Sequence, residues 1–224
     1  MRFTSVPDHL TQQMPSLKDP SILALYAYWS RQRAGAAAPR RDAIAPADIA
    51  PLLGDIFILD AARGDRFPFR LAGTRLCAAF GRELRDEGFL TLWARHDAER
   101  MRAALGAVTA EAAAIEFSLA ATNERDQTVA AAMILLPLSH DGRSIDRILG
   151  LLAPPERPYW LGLHPVRAMS VVAASRLDAS NAPAPAAHAP AAAQPLPAAA
   201  TARPADMPDT RPRPRLVVLE GGRQ

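Results

Sequence analysis

Residues Asp55–Leu84 read DIFILDAARGDRFPFRLAGTRLCAAFGREL. Two short apolar segments, Ile56–Leu59 and Phe67–Leu71, flank the turn-forming Arg63-Gly64-Asp65-Arg66. Side chains in both alternate with a strand-like period, and the spacer carries Gly and Asp, so the pair is predicted to form a hairpin. The pattern then changes. Gly73-Thr74 closes the second strand, with Thr74 expected to cap a short helix holding Leu76, Cys77 and Phe80. Gly81 is expected to end that helix.

Upstream, Asp19-Pro20 is a helix start, with Asp at the N-cap and Pro at the first helical position. Ile22, Leu23, Tyr26 and Trp29 recur at helical spacing until Gly35. The apolar stripe of this helix must be covered, by the sheet or by another subunit. Pro46 and Pro51 frame at most one helical turn before the first strand. Downstream, Phe89, Leu92 and Trp93 suggest a second short helix. Asp97 is expected to cap a longer helix over 98–112, with Met101, Leu105 and Val108 on one side. Strand-like runs follow at 114–121, 128–138 and 147–153, joined by Asn123-Glu124-Arg125-Asp126 and His140-Asp141-Gly142-Arg143. Tight turns make these three an antiparallel meander. Together with the hairpin they predict an α+β fold in which helices cover one face of an antiparallel sheet.

Composition divides the chain. Residues 178–214 are dominated by Ala and Pro. They lack the large apolar side chains needed to offset an ordering cost of about 1–2 kcal/mol per residue, so they are expected to form a disordered linker. The boundaries expected are a flexible terminus over 1–18, a domain with its N-terminal helix over 19–160, a transition over 161–177, the linker, and a short apolar motif over 215–222. That motif, within Arg215-Leu-Val-Val-Leu219-Glu-Gly-Gly222, suits addition to a sheet edge in this chain or a partner, or is simply a tail end. Of 26 basic and 23 acidic residues, eight arginines and five acids fall in 155–224, which leaves residues 1–154 with 18 of each. The neutral folded part argues against nucleic-acid binding. Cys77 is the only cysteine, so neither an internal disulfide nor a cysteine-based zinc cluster is expected. The N-terminus reads as no signal peptide and no segment reads as a membrane span, so a cytoplasmic location is expected.

A narrower resemblance rests on Tyr26 and Trp29, on Arg41-Asp42-x-Ile44-x-Pro46, and on Phe69-Arg70-Leu71-Ala72-Gly73-Thr74. It continues through Phe80-Gly81-Arg82-Glu83-Leu84 and Leu92-Trp93. Over about residues 19–154 the chain resembles the PAS family of sensory and interaction domains, and more narrowly a bacterial family of short, mostly single-domain PAS proteins. The resemblance implies a five-stranded antiparallel sheet with helices over one side, used for signal sensing or protein interaction. It also implies work in regulatory circuits beside histidine kinases. PAS domains in general hold haem, flavin, another chromophore or a small metabolite between helices and sheet, or hold nothing and dimerise, so the cofactor stays unassigned.

Candidate chemistry is sparse. Phe69, Cys77, Phe80, Phe89, Trp93, Phe117 and Met133 would line a cavity between helices and sheet, or else form plain core. Haem-binding relatives present a histidine from the long helix, and here the nearest is His96, which reads as a solvated helix-start residue. Cys77 lies in TRLCAAF, among small apolar neighbours and without a base nearby, as a buried packing residue does. Arg41, Asp42 and Arg70 offer either an anion contact or an Arg–Asp tie between the segment before the sheet and the sheet itself, with Arg40 as a further pairing partner. Ile22, Leu25, Tyr26 and Trp29 are the expected contact surface for a signalling partner or for a second copy in a homodimer. No nucleophile, phosphate loop or metal-ligand spacing stands out, so no catalytic and no metal residue is assigned. The leading expectation is a non-enzymatic regulatory protein acting through protein–protein interaction. The alternative is a small-ligand or cofactor sensor that uses the cavity.

Overall fold

In the computed structural model residues 19–154 and 156–177 are described, and all of them belong to one unit. The expectations for 1–18, 178–214 and 215–222 fall outside these residues. The chain opens on helix α1 (Pro20–Arg33), whose first turn is capped by Asp19 through Ser21 N and Ile22 N at 2.9 and 3.2 Å. Ala34 and Gly35, both at positive φ, end it. Two 3₁₀ segments lead down to the sheet, the second kinked at Ile49. Then come β1 (Ile56–Asp60), β2 (Phe69–Ala72), α2 (Thr74–Phe80), a 3₁₀ turn at Phe89–Leu92, and α3 (Arg95–Ala110). Strands β3 (Ala114–Asn123), β4 (Thr128–Ser139), β5 (Ile145–Ala153) and β6 (Val166–Leu177) complete the fold.

All six strands form one antiparallel sheet in the order β2-β1-β5-β4-β3-β6. The sixth strand corrects the expectation of five. β6 runs along β3 from Asn123–Val166 to Ala114–Leu177, within a stretch read as a transition to the tail. Its sequence VRAMSVVAASRL hides the strand period, because register shifts at Ser118/Leu119 and Thr122/Asn123 break the alternation and small Ala and Ser fill its outer half.

A second correction concerns the layers. α2 and α3 pack on one sheet face against Phe57, Leu59, Phe69, Phe117, Met133 and Leu135. α1 packs on the opposite face against Ile56, Ile58, Ile134, Leu136, Leu149 and Leu151. Strand β1 therefore sends alternate residues into two cores, and all five of its side chains are buried. An antiparallel sheet with one wet face alternates polar and apolar residues; covering both faces turns the central strands into continuous apolar runs.

Ile22, Leu25, Tyr26 and Trp29, expected to meet a partner, are instead buried in the chain's own second core. Trp29 is pinned twice. Its ring carries the Arg33 guanidinium 5.1 Å from the centroid, and its Nε1–H donates to Pro137 O at 2.8 Å. Pro137 lies beyond the last β3–β4 pair, Ile115–Leu135, where the ladder needs no N–H from it.

Local details also shift. Thr74 occupies the first turn of α2 without a side-chain cap bond, because Gly73 takes the N-cap place. Gly81, at φ 64°, does end α2. The hairpin's second strand starts at Phe69, since Phe67 is left-handed at φ 44° and Pro68 has no N–H to give. α3 begins at Arg95, three residues earlier than expected, and Asp97 lies inside its first turn.

Trp29→Ala should lower stability by about 3–5 kcal/mol, the usual cost of truncating a buried tryptophan, measured by urea unfolding monitored on far-UV signal. An unchanged midpoint would mean that α1 does not seal the second core.

Candidate functional site

Where β1 starts, the backbones of Gly54 and Gly73 come so close that a Cβ on Gly73 would collide with Gly54 O. Gly73 N donates to Ile56 O at 2.8 Å, and Gly54 O accepts Arg75 N and Leu76 N at 2.9 and 3.1 Å. This joint presents Arg75, on the first turn of α2, to the carboxylate of Asp55. Arg75 Nε and Nη2 reach Asp55 Oδ2 at 2.9 and 2.6 Å, and Nη2 also reaches Pro51 O at 2.9 Å. From the loop after β5, Arg157 Nη2 meets Asp55 Oδ1 at 2.7 Å. Asp55 is buried, while both guanidinium groups stay about half exposed.

Below this clamp lies a cavity of about 30 Å³ whose walls include Leu76, Ala79, Phe80, Ala131, Leu152 and Met169. That is water-sized; drug-sized ligand pockets run to roughly 300–1,000 Å³. Its walls are apolar and its rim is Asp55 with the two arginines.

The seven residues expected to line a cavity share one core, yet only Phe80 reaches this space. Phe69 and Phe89 are 5.6 Å apart centroid to centroid, Phe57 stands 5.8 and 5.4 Å from them, and Trp93 stands 5.6 Å from Phe89. Phe117 and Met133 are register partners on β3 and β4. These rings and chains fill one another's space. Trp93 Nε1 is buried in that core without a hydrogen-bond partner.

Cys77 packs at the rim of the same core, half-buried, with Sγ 3.5 Å from Glu83 Oε1. Burial pushes its thiol pKa up and the Glu83 carboxylate adds to that, against a backbone N–H of Leu84 that favours the thiolate. The result is a protonated, weakly nucleophilic sulfur.

Arg41, Asp42 and Arg70 do not converge. Asp42 pairs with Arg40 at the surface, at 2.8 Å, and Arg41 Nη1 donates to Ile44 O. Arg40 bridges to Ser139 at the end of β4, whereas Arg70 lies on β2 at the far edge of the sheet. Arg70 Nε instead stands 3.8 Å from Asp60 Oδ2, where Arg147 and Arg63 also meet that buried carboxylate. His96 is largely exposed beside Asp97. Asp97 itself is fully buried: Oδ2 accepts Val171 N at 3.1 Å and Oδ1 accepts Arg100 Nη1 at 3.0 Å, which ties α3 to β6. Asp55, Arg75 and Arg157 were missed because their pairing spans 20 and 102 residues. The one available signal was an acidic residue at each end of the apolar run in DIFILD.

The sequence model described as the PAS domain matches residues 17–153. Among solved structures, a LOV protein from Rhodobacter sphaeroides matches with 15% identity and a TM-score of 0.39, over 46% of this chain and 60% of that one. The chain thus spans less than two thirds of that protein. The light-state LOV domain of Aureochrome1 matches at 13% identity and TM-score 0.38, over 54% and 94% of the two chains. A PAS domain of an HTR-like protein from Haloarcula marismortui gives 19% identity and 0.37, over 48% and 89%. No curated protein matches. Among the described residues no helix is long and apolar enough to cross a membrane.

Asp55→Ala should cost about 2–3 kcal/mol in urea unfolding, since charge-assisted hydrogen bonds are lost while the half-exposed arginines rehydrate. Arg75→Ala should cost more than Arg157→Ala, and the reverse order would place the anchor on the loop. Cys77 in the native protein should react with iodoacetamide at pH 7.5 several-fold more slowly than in urea-unfolded protein, followed by mass spectrometry; a faster native reaction would identify an activated thiol.

Proposed function

Because the chain belongs to the PAS-domain family, we propose that it is a non-enzymatic signalling protein that works through contacts with other proteins. The observation that supports this most directly is the filled core. Phe57, Phe69, Phe89 and Trp93 occupy the space between helices and sheet with one another's rings, and the neighbouring cavity has the volume of one or two waters. A domain packed in this way has more to offer on its outside.

With the apolar side of α1 engaged by the sheet, the contact surface falls elsewhere. The loop between β5 and β6 turns twice, through Leu161 N–Pro158 O and His164 N–Trp160 O bonds, and buries Trp160 as an anchor. The same turns push Tyr159 and Leu163 outward, 80% and 71% exposed. An exposed tyrosine with an apolar neighbour, beside a buried tryptophan anchor, suits a protein contact. Components of a histidine-kinase pathway are the partners this reading favours.

A second reading has one observation behind it: the arginine-rimmed apolar cavity beneath Asp55. A small molecule with an anionic end and an apolar body would suit it, provided the cavity enlarges on binding.

Native mass spectrometry of protein purified from its own cells separates the two. Interaction without a ligand gives the bare polypeptide mass, together with a cross-linked partner that is lost in Tyr159→Ser/Leu163→Ser. A stoichiometric small molecule released on denaturation, with cross-linking unaffected by the double substitution, would overturn the interaction reading in favour of the ligand reading.

A further inference from the structure

Five acidic side chains are buried among the described residues: Asp19, Asp55, Asp60, Asp97 and Glu116. Asp55, Asp60 and Asp97 each meet arginine, and Asp19 receives the first backbone N–H groups of α1. Glu116 is different. It lies on β3 between Ile134 of β4 and Ser175 of β6, on the sheet face that α1 covers. It is 5% exposed, no basic side chain among the described residues pairs with it, and its Oε1 is buried without a hydrogen-bond partner. A carboxylate left so would lose its hydration with nothing in exchange.

The groups around it give no relief. β4 carries no titratable side chain between Thr128 and Ser139. On β6 the nearby base is Arg176, which is paired with Glu111. Arg33 of α1 is spent over the Trp29 ring. The remaining titratable groups of α1 are Tyr26, Tyr28 and Arg31, and none of them is bonded to Glu116; Tyr28 binds the backbone at Ala43 and Ala45. The charge that does act on Glu116 is that of Asp19, the cap of α1, and it has the same sign.

We propose that Glu116 is a proton-controlled latch for helix α1: protonated, it lets the helix seat on the sheet, and ionised, it works against the helix's capped end. Two effects push the same way. Ionisation under the seated helix strands a charge in an apolar layer, and it sets that charge against the Asp19 carboxylate that starts the helix. Lifting α1 relieves both by letting water in. A cleft of about 140 Å³ already opens beside this seat, bounded by Tyr26, Trp29, Arg33, Arg176 and Leu177.

Burial first, and Asp19 second, raise the Glu116 pKa to about 7 from the ordinary 4.5. The sign follows from linkage. The seated state holds a proton that the open state releases near 4.5, so the seating is strongest below that pH. It weakens as pH rises to about 7 and is level above it. Between pH 5.5 and 8.0 these two values correspond to an increase of about 30-fold in the opening constant of α1.

Two measurements on the full chain test this. Carboxyl ¹³C NMR titration should show Glu116 changing charge near neutrality. Hydrogen-exchange protection factors, corrected for intrinsic exchange, should fall about 30-fold further in α1 than in α3 between pH 5.5 and 8.0, and Glu116→Gln should remove that difference. A Glu116 that titrates in the ordinary carboxylate range would overturn the latch, and so would an α1 loss that persists in Glu116→Gln. Should the substituted chain fail to fold, the titration and the α1–α3 difference in the wild type decide alone.

Discussion

The contact on which most of this molecule hangs is the one between two glycine backbones, at Gly54 and Gly73. No side chain fits there, because a Cβ on Gly73 would enter the Gly54 carbonyl. That closeness lets one carbonyl oxygen start α2 through Arg75 N and Leu76 N while the first strand begins two residues later. Everything near the candidate site inherits its position from the joint. Arg75 reaches Asp55 because α2 starts there, and Arg157 brings the loop after β5 to the same carboxylate. That loop in turn carries buried Trp160 and exposed Tyr159 and Leu163. A steric allowance of one missing methyl is thus converted into the placement of a loop a hundred residues away.

The second organising fact is that the central strands of the sheet are covered on both sides. α2 and α3 seal one face and α1 seals the other, so most apolar side chains of the central strands are used within the chain. This reassigns α1 from a surface for partners to a wall of the core. It also explains why the acidic residues here carry so much of the specificity. Asp55 and Asp60 bracket β1 through arginines, and Asp97 ties α3 to β6 through Val171 N and Arg100. Glu116 is the buried acid that, among the described residues, has neither an arginine nor a backbone N–H as partner.

Legibility in the sequence followed the range of the interaction. The Asp19-Pro20 start of α1, the Gly81 stop of α2 and the turns at Asp126 and Gly142 were readable because each acts within a few residues, through a cap bond or a positive φ. The alternation of Ile115, Phe117 and Leu119 against Glu116, Ser118 and Ala120 was equally readable and still misleading, since Glu116 and Ala120 on the other side of that strand are buried too. Thr74 and Asp97 have the right chemistry for N-caps; a neighbouring glycine and the demands of β6 placed them inside the first turn instead.

By itself the sequence determined the three helices and, apart from β6, the strands, where most of them stop, that the meander is antiparallel, and that the fold is α+β. Those are matters of periodicity and backbone preference, and they are decided locally. Only the tertiary structure decided that α1 covers the second face, that a sixth strand lies beside β3, and that the aromatic residues fill their own cavity. It also decided that Asp55, and not Asp42, is where arginines from two elements meet. These depend on residues as far apart as Trp29 and Pro137, 108 positions along the chain, and no local pattern records which distant surface will remove a side chain from water.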